Sequence, residues 1–183
     1  MKSRLILLVG ATVALGFAGF ALARSYSVIV GTPGPDTLVA TPTADVVYAK
    51  SGDDMVQAGD GNDVVYGQAG SDDLHGADGH DVLYGGQGND TIHGGQAGDI
   101  EYVGYGNDSL WGGRGADELY GGPSDDVLHA LADDNQVDVV DCGAGNDVAW
   151  LNVEERGLYR VRGCERVNWV IPTAEQEAEE NSG

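Results

Sequence analysis

Basic residues are scarce in this chain: 9 Lys and Arg stand against 30 Asp and Glu, which gives a formal net charge of −21. Nucleic-acid-binding proteins need basic patches, so this balance argues against a nucleic-acid partner. It argues equally against adsorption to an anionic membrane. An acidic chain either attracts cations or is simply soluble, and composition alone does not decide between the two.

Long apolar runs are also scarce, and the one at 5–20 lies at the N-terminus. It follows Lys2 and Arg4, and a small-x-small cleavage site ends at Ala23, as in a secretory signal peptide. We therefore predict a signal peptide over 1–23 that is cleaved after Ala23. An uncleaved membrane anchor is the alternative, for which the run is slightly short. We expect a secreted protein whose mature form has no membrane span.

Catalytic motifs and spare cysteines are missing as well. The sequence contains no G-x-S-x-G and no H-E-x-x-H motif, and Cys142 and Cys164 are its only cysteines. In an exported chain two cysteines are expected to pair, and we predict a disulfide between them. The chain is not expected to be an enzyme.

Glycine, in contrast, is abundant, and the 30 glycines follow a nine-residue repeat. Eleven consecutive nonapeptides run from Gly31 to His129, residues 130–132 are an insertion, and two further units cover 133–141 and 142–150. Position eight of each unit is aliphatic, except at Glu101. Position six is always aspartate: Asp36, Asp45, Asp54, Asp63, Asp72, Asp81, Asp90, Asp99, Asp108, Asp117, Asp126, Asp138 and Asp147. Strict short-period repeats predict a solenoid.

Each unit has a turn-forming part and a strand-forming part. Positions one to six are rich in Gly, Asp and Asn, which suit tight turns, and positions seven to nine predict a short strand with position eight facing inward. Position nine is Tyr in every second unit, at Tyr48, Tyr66, Tyr84, Tyr102 and Tyr120. The other units carry mostly His or Trp there, as at His75, His93, Trp111 and His129. Two units therefore form one turn, and 24–150 is predicted to be an all-β solenoid of thirteen nonapeptides with two parallel sheets.

The predicted core is too thin to hold this coil alone. One aliphatic side chain per unit offers roughly 1.5–3 kcal/mol, whereas ordering each residue costs on the order of 1–2 kcal/mol. Aspartates stacked one above another also repel. A hard cation between successive turns would neutralise that repulsion and connect the loops.

The repeat resembles the RTX, or haemolysin-type, calcium-binding repeat, whose consensus is G-G-x-G-x-D-x-U-x. The best matches are 85–93, GGQGNDTIH, and 112–120, GGRGADELY, and the resemblance covers 31–150. It implies a parallel β-roll that binds calcium between one loop and the next loop on the same side, two units on. Aspartates at position six and backbone carbonyls would supply the ligands.

The resemblance also implies which units bind. Loops with Gly at position four and Asp at position six are the strongest candidates, and we expect four to six sites, mostly along 49–108. The expected residues are Gly52, Gly61, Gly70, Gly79, Gly88, Gly106, Asp54, Asp63, Asp72, Asp81, Asp90 and Asp108, with Asp36, Asp117 and Asp126 as weaker ligands. Thr43 and Ala97 break the pattern at position four. The alternative is that these aspartates only cap their own turns.

Several further features are separate from the predicted calcium-binding loops. Residues 151–171 are predicted to form a cap that the disulfide ties to the last unit, and 172–183 an acidic, disordered tail. Glu101 would face a thin apolar interior, so its unit is locally out of register or its carboxylate reaches a cation or solvent. The alternative function is an adhesive or structural solenoid, in which the outward Tyr or His/Trp ladder contacts a protein or carbohydrate partner. The histidines also raise a transition-metal hypothesis, against which a solvated face is the simpler reading.

Overall fold

The computed structural model describes residues 4–5, 26–132, 134–155 and 157–171. They form a parallel β-solenoid of about 8 turns with two sheets. The Tyr sheet contains, in spatial order, β2 (Ser27–Val30), β4 (Asp45–Ser51), β6 (Val64–Ala69), β8 (Val82–Gln87), β10 (Ile100–Tyr105), β12 (Glu118–Tyr120), β14 (Val139–Asp141) and β16 (Arg160–Arg162).

The second sheet, called the His/Trp sheet, contains nine strands. They are β1 (Arg4–Leu5), β3 (Asp36–Val39), β5 (Met55–Asp60), β7 (Asp73–Asp78), β9 (Thr91–Gln96), β11 (Ser109–Arg114), β13 (Val127–Ala130), β15 (Val148–Asn152) and β17 (Arg166–Val170). A 3-10 helix spans Val153–Glu155. Within the described ranges no helix is long and apolar enough to cross a membrane.

Every strand in the repeats pairs in parallel with the strand two units away, as the eighteen-residue Tyr spacing predicts. Val65 lies opposite Leu83, and Leu83 opposite Glu101. The insertion at 130–132 lengthens the spacing from Leu119 to Val140 without breaking the pairing. The predicted β-roll with two nonapeptides per turn is therefore confirmed.

The strands are longer than the sequence pattern predicts. Val64–Ala69, for example, covers positions seven to nine of one unit and the first three positions of the next. The assignment of positions one to three to a turn was therefore wrong. Cross-strand pairing continues through them, as between Gln68 and Gly86, although φ is positive at both residues (80° and 119°). The chain thus bends at position two without leaving the sheet.

Positions six, eight and one of the next unit are alternate residues on one strand and face the same side. Asp63, Val65 and Gly67 are accordingly all buried. The interior therefore holds more than the one aliphatic side chain per unit that we expected, because position one adds Ala49 and Val103 to the core. Most units have glycine there, so the interior stays narrow.

The outer faces carry the two predicted aromatic ladders. Rings of the tyrosines at position nine stack with centroids 4.7–5.2 Å apart and interplanar angles of 3–9°. On the other sheet His75, His93, Trp111 and His129 stack at 4.6–4.8 Å, and Trp150 extends the row at 6.3 Å. Stacked rings one strand apart support parallel pairing along the whole coil.

The C-terminal segment adds one strand to each sheet, β16 beside β14 and β17 beside β15. The predicted disulfide between Cys142 and Cys164 is present, with Cα atoms 5.1 Å apart. In chain-entropy terms a loop of this length stabilises the fold by roughly 3 kcal/mol. Arg162 also forms a 2.7 Å ion pair with Asp141. The disulfide and the ion pair together fasten the end of the coil.

At the other end, β1 pairs with Asp36 and Thr37 of β3. The rest of the predicted signal peptide, its cleavage site and the predicted tail at 172–183 lie outside the described residues.

Candidate metal centres

The aspartates at position six form two carboxylate ladders inside the coil. In each ladder the Oδ1 atom of one aspartate accepts the backbone N–H of the aspartate one turn earlier, over 2.7–3.0 Å. The first ladder contains Asp36, Asp54, Asp72, Asp90, Asp108, Asp126 and Asp147, and the second Asp45, Asp63, Asp81, Asp99, Asp117 and Asp138. The structure thus brings the position-six aspartates of successive turns next to one another along both ladders.

The second oxygen of these carboxylates is the notable one. Nine Oδ2 atoms are buried without a hydrogen-bond partner: those of Asp54, Asp63, Asp72, Asp81, Asp90, Asp99, Asp108, Asp126 and Asp147. A buried acceptor without a partner costs about 1–3 kcal/mol, and more when it carries charge. Each of these atoms therefore requires a proton or a cation. Turn capping, the alternative from the sequence, does not account for these contacts, because Oδ1 accepts an N–H from the previous turn and Oδ2 accepts none.

Backbone carbonyls face the same space. A methyl carbon placed on Gly85 would lie 2.8 Å from the carbonyl oxygen of Val103 and in contact with Asp90 Oδ2. One placed on Gly76 would lie 2.5 Å from Asp81 Oδ2 and in contact with the carbonyl oxygen of Gly94. Two kinds of acceptor thus converge where position-one glycine leaves room. Hard cations such as calcium are held by carboxylate and carbonyl oxygens of this kind, so the residues fit calcium.

The role of position one was missed in the sequence, although it was visible there as a run of small residues. Ala49, Ala58 and Val103 occupy this position in the units of Asp54, Asp63 and Asp108. Their Cβ atoms take up part of the space that glycine leaves open in the units of Asp72, Asp81 and Asp90. The space beside Asp54, Asp63 and Asp108 is therefore smaller than the sequence-based ranking assumed.

Glycine at position four allows each loop to approach closely the loop one turn earlier. Gly52, Gly61, Gly70, Gly79, Gly88, Gly106 and Gly115 all have φ between +116° and +139°. A Cβ on Gly88 would collide with the carbonyl oxygen of Gly70, one turn earlier. Ala97 takes a left-handed φ of 74° despite its side chain, whereas Thr43 is not left-handed. The loops at 40 and 94 are therefore irregular, as their sequences predict.

In the first two units a threonine of the same unit donates hydrogen bonds to the position-six carboxylate. Asp36 Oδ2 accepts hydrogen bonds from the backbone N–H of Thr32 at 2.5 Å and from its Oγ1 at 3.0 Å. Asp45 Oδ2 accepts the same pair from Thr41, at 2.6 and 2.7 Å. No later unit has threonine at position two. Hydroxyl and backbone N–H groups thus already satisfy the carboxylates of Asp36 and Asp45.

Glu101 keeps its place in the pattern. Its strand pairs in register with both neighbours, with Leu83 on one side and Leu119 on the other. The residue is 0% exposed. Local loss of register and contact with solvent, two of the alternatives from the sequence, are therefore wrong.

Burial raises the pKa of the interior carboxyl groups in the metal-free coil. The pKa rises to about 7 for Asp54, Asp63 and Asp90, because desolvation and neighbouring aspartates outweigh the backbone hydrogen bond that each accepts. The same desolvation raises the pKa of Asp99 to about 9 and that of Asp117 to about 8. Near neutral pH these groups are therefore partly or mostly protonated, and a bound cation would displace those protons.

The metal-free coil is therefore expected to be more stable in mild acid. The folded carboxyl groups have pKa values near 7 against an ordinary 3.8, so above about pH 4 the folded state holds more protons than the unfolded one. Stability then falls as pH rises through 7. Calcium-stripped protein should therefore retain more β-structure at pH 5 than at pH 8, measured by far-ultraviolet circular dichroism. Equal β signals would contradict this, and a calcium-saturated sample serves as the control.

The histidine row offers no comparable site. Across the described ranges no three His, Cys, Asp or Glu side chains converge as in a side-chain metal centre. The imidazoles of His75 and His93 lie face to face with an interplanar angle of 3°. Burial, with a smaller effect of His93, lowers the pKa of His129 to about 4. The geometry therefore supports a structural row rather than a transition-metal site.

Comparison with known proteins agrees with this geometry. The family model of the RTX calcium-binding nonapeptide repeat matches five segments, 30–65, 39–74, 48–83, 66–101 and 102–137, of which the first four overlap. Together they cover 30–137, more than half of the chain. No curated protein matches it. The repeats, the two-sheet solenoid and the interior carboxylates agree, and the chain belongs to the RTX calcium-binding nonapeptide repeat family.

Proposed function

We propose that this chain is an exported calcium-binding protein whose coil folds around several calcium ions held between stacked Gly/Asp loops. The observation that carries the proposal is the row of buried Oδ2 atoms without hydrogen-bond partners. Bound calcium would neutralise these carboxylates and connect successive turns. We propose four to six ions, mostly along 49–108, with Asp72, Asp81 and Asp90 as central ligands.

Export is proposed from the signal-peptide pattern at 1–23 and agrees with a disulfide, which persists in oxidising compartments. N-terminal sequencing of the exported protein should then begin at Arg24, and a chain that begins at Met1 would contradict cleavage. We also propose that the chain has no enzymatic activity, since the repeat accounts for its clustered aspartates.

Calorimetric titration with calcium tests the proposal. The purified protein is expected to bind four to six ions, and zero or one would contradict it. Asp72→Asn should reduce the number bound, because Asp72 belongs to the pairs with Asp54 and with Asp90. Asp60→Asn is the matched control: it removes the same charge from an exposed side chain at position three, and binding should be unchanged.

The alternative function, an adhesive or structural solenoid, depends on the outward ladders. A sugar would stack on the face of an aromatic ring. In the Tyr ladder neighbouring rings cover these faces, since the interplanar angles are only 3–9°. The ladder thus presents ring edges outward, and calcium binding is the function that the geometry supports best.

A further inference from the structure

Unit 94–102 differs from its neighbours in what it places inside the coil. All twelve other units have an aliphatic side chain at position eight that faces inward and is fully buried, whereas this unit has Glu101, also fully buried. Asp99, at position six of the unit, directly precedes this strand and is likewise 0% exposed. The two carboxylates stand at alternate positions and share the inward face.

Three oxygen atoms converge beside Gly94. A methyl carbon placed on this glycine would lie 2.7 Å from Asp99 Oδ2 and 2.5 Å from the carbonyl oxygen of Gly112, and it would also contact Glu101 Oε1. Calcium–oxygen bonds measure about 2.3–2.6 Å. A single point thus lies at roughly such distances from two carboxylates and one carbonyl.

The equivalent point in the preceding unit on the same side is poorer in oxygen. At Gly76 the nearest atoms are the carbonyl oxygen of Gly94 and Asp81 Oδ2, and the third is the carboxyl carbon of Asp81 at 3.2 Å. Leu83, the counterpart of Glu101, supplies no ligand atom. Glu101 therefore adds an oxygen that the repeat itself does not provide.

Asp99 gives independent support for a ligand. Its Oδ1 atom accepts the N–H of Asp81 at 2.8 Å, while its Oδ2 atom is buried without a hydrogen-bond partner. That atom faces the point beside Gly94. When both carboxylates are ionised, this point is surrounded by acceptor oxygens of three groups, so a cation is a partner that suits all three.

We propose that Asp99, Glu101 and the carbonyl of Gly112 form an interior calcium site in which Glu101 is a ligand from the core position of the repeat. This inference rests on the proposed function, since it assumes that the coil takes up calcium. It assigns a specific role to the loop at 94, whose Ala97 at position four predicted weak binding. The second carboxylate compensates for the irregular loop.

Bound calcium counted by elemental analysis after equilibrium dialysis tests the site. The two informative variants are Glu101→Gln, which keeps the size of the side chain, and Glu101→Leu, which restores the aliphatic residue of the repeat. Each is expected to bind one ion fewer than the wild-type protein. Glu154→Gln removes an exposed carboxylate far from the site and should bind the wild-type number.

Thermal unfolding gives a second readout. At a low calcium concentration that just keeps the coil folded, Glu101→Leu should unfold at a higher temperature than the wild-type protein, because no carboxylate is left at that core position. With saturating calcium its rise in melting temperature should be smaller than that of the wild-type protein. Equal ion counts and equal calcium-induced shifts in all variants would overturn the role of Glu101 while leaving the proposed function intact. A wild-type protein that binds no calcium would overturn both.

Discussion

Chelation of calcium from the purified protein is expected to convert most of its β-structure into unfolded chain, and added calcium should restore it. Two ladders of buried carboxylates run along the coil, and nine of their oxygen atoms have no hydrogen-bond partner. A ligand at one hundred times its dissociation constant stabilises the folded state by about 2.7 kcal/mol per site. Four such sites contribute about 11 kcal/mol, which lies within the whole stability of a typical domain, roughly 5–15 kcal/mol.

Far-ultraviolet circular dichroism with and without chelator is the measurement, and excess magnesium is the control. Magnesium demands a smaller and more regular oxygen cage, so it should restore far less of the β signal than calcium. Unchanged β-structure in chelator would contradict the idea that calcium holds the coil together. The first turn should be least affected, since Thr32 and Thr41 already satisfy Asp36 and Asp45.

The fold was predictable because its two periods are explicit in the sequence. The nine-residue spacing of aspartates sets the unit, and the eighteen-residue spacing from Tyr48 to Tyr120 sets the turn. Both periods mark side chains that contact the next turn directly. The aromatic rings stack on one another, and the carboxylates accept backbone N–H groups. The register of every strand in the repeats follows from them, and even the insertion at 130–132 leaves it intact.

The interior was less predictable, because its details depend on neighbouring strands. Assigning positions one to three to a turn hid the fact that Gly94 lies on the same inward side as Asp99 and Glu101. Ranking sites by position four alone likewise missed the Cβ atoms of Ala49 and Val103. Thr32 and Thr41 at position two are not left-handed, whereas the non-glycine residues Lys50 and Gln68 at the same position are. Residue type alone therefore did not predict the threonine hydrogen bonds of the first turn.

The glycine at position four gives the second large effect. Gly79 has φ +139°, a conformation that L side chains rarely adopt, and a Cβ there would overlap the carbonyl oxygen of Gly61 and lie 2.5 Å from its carbon. Both atoms belong to backbone, so neither can move without separating two turns. Gly79→Ala is expected to destabilise the calcium-saturated protein by at least about 2–3 kcal/mol in urea unfolding. Gly34→Ala is the matched control, since nothing lies within 4 Å of its Cβ.

Unit 94 shows how the chain itself accommodates alanine at this position. Ala97 has φ 74° rather than +139°, and the next residue is Gly98, whose Cβ would lie 2.6 Å from the carbonyl oxygen of Ala116. Unit 76 has His80 in the place of Gly98, so Gly79→Ala alone lacks that second glycine. The double variant Gly79→Ala/His80→Gly should therefore recover much of the lost stability, a non-additive result expected of adjacent positions. If the double variant is as unstable as the sum of its single changes, or if Gly79→Ala matches Gly34→Ala, the close approach of the loops is not what requires glycine here.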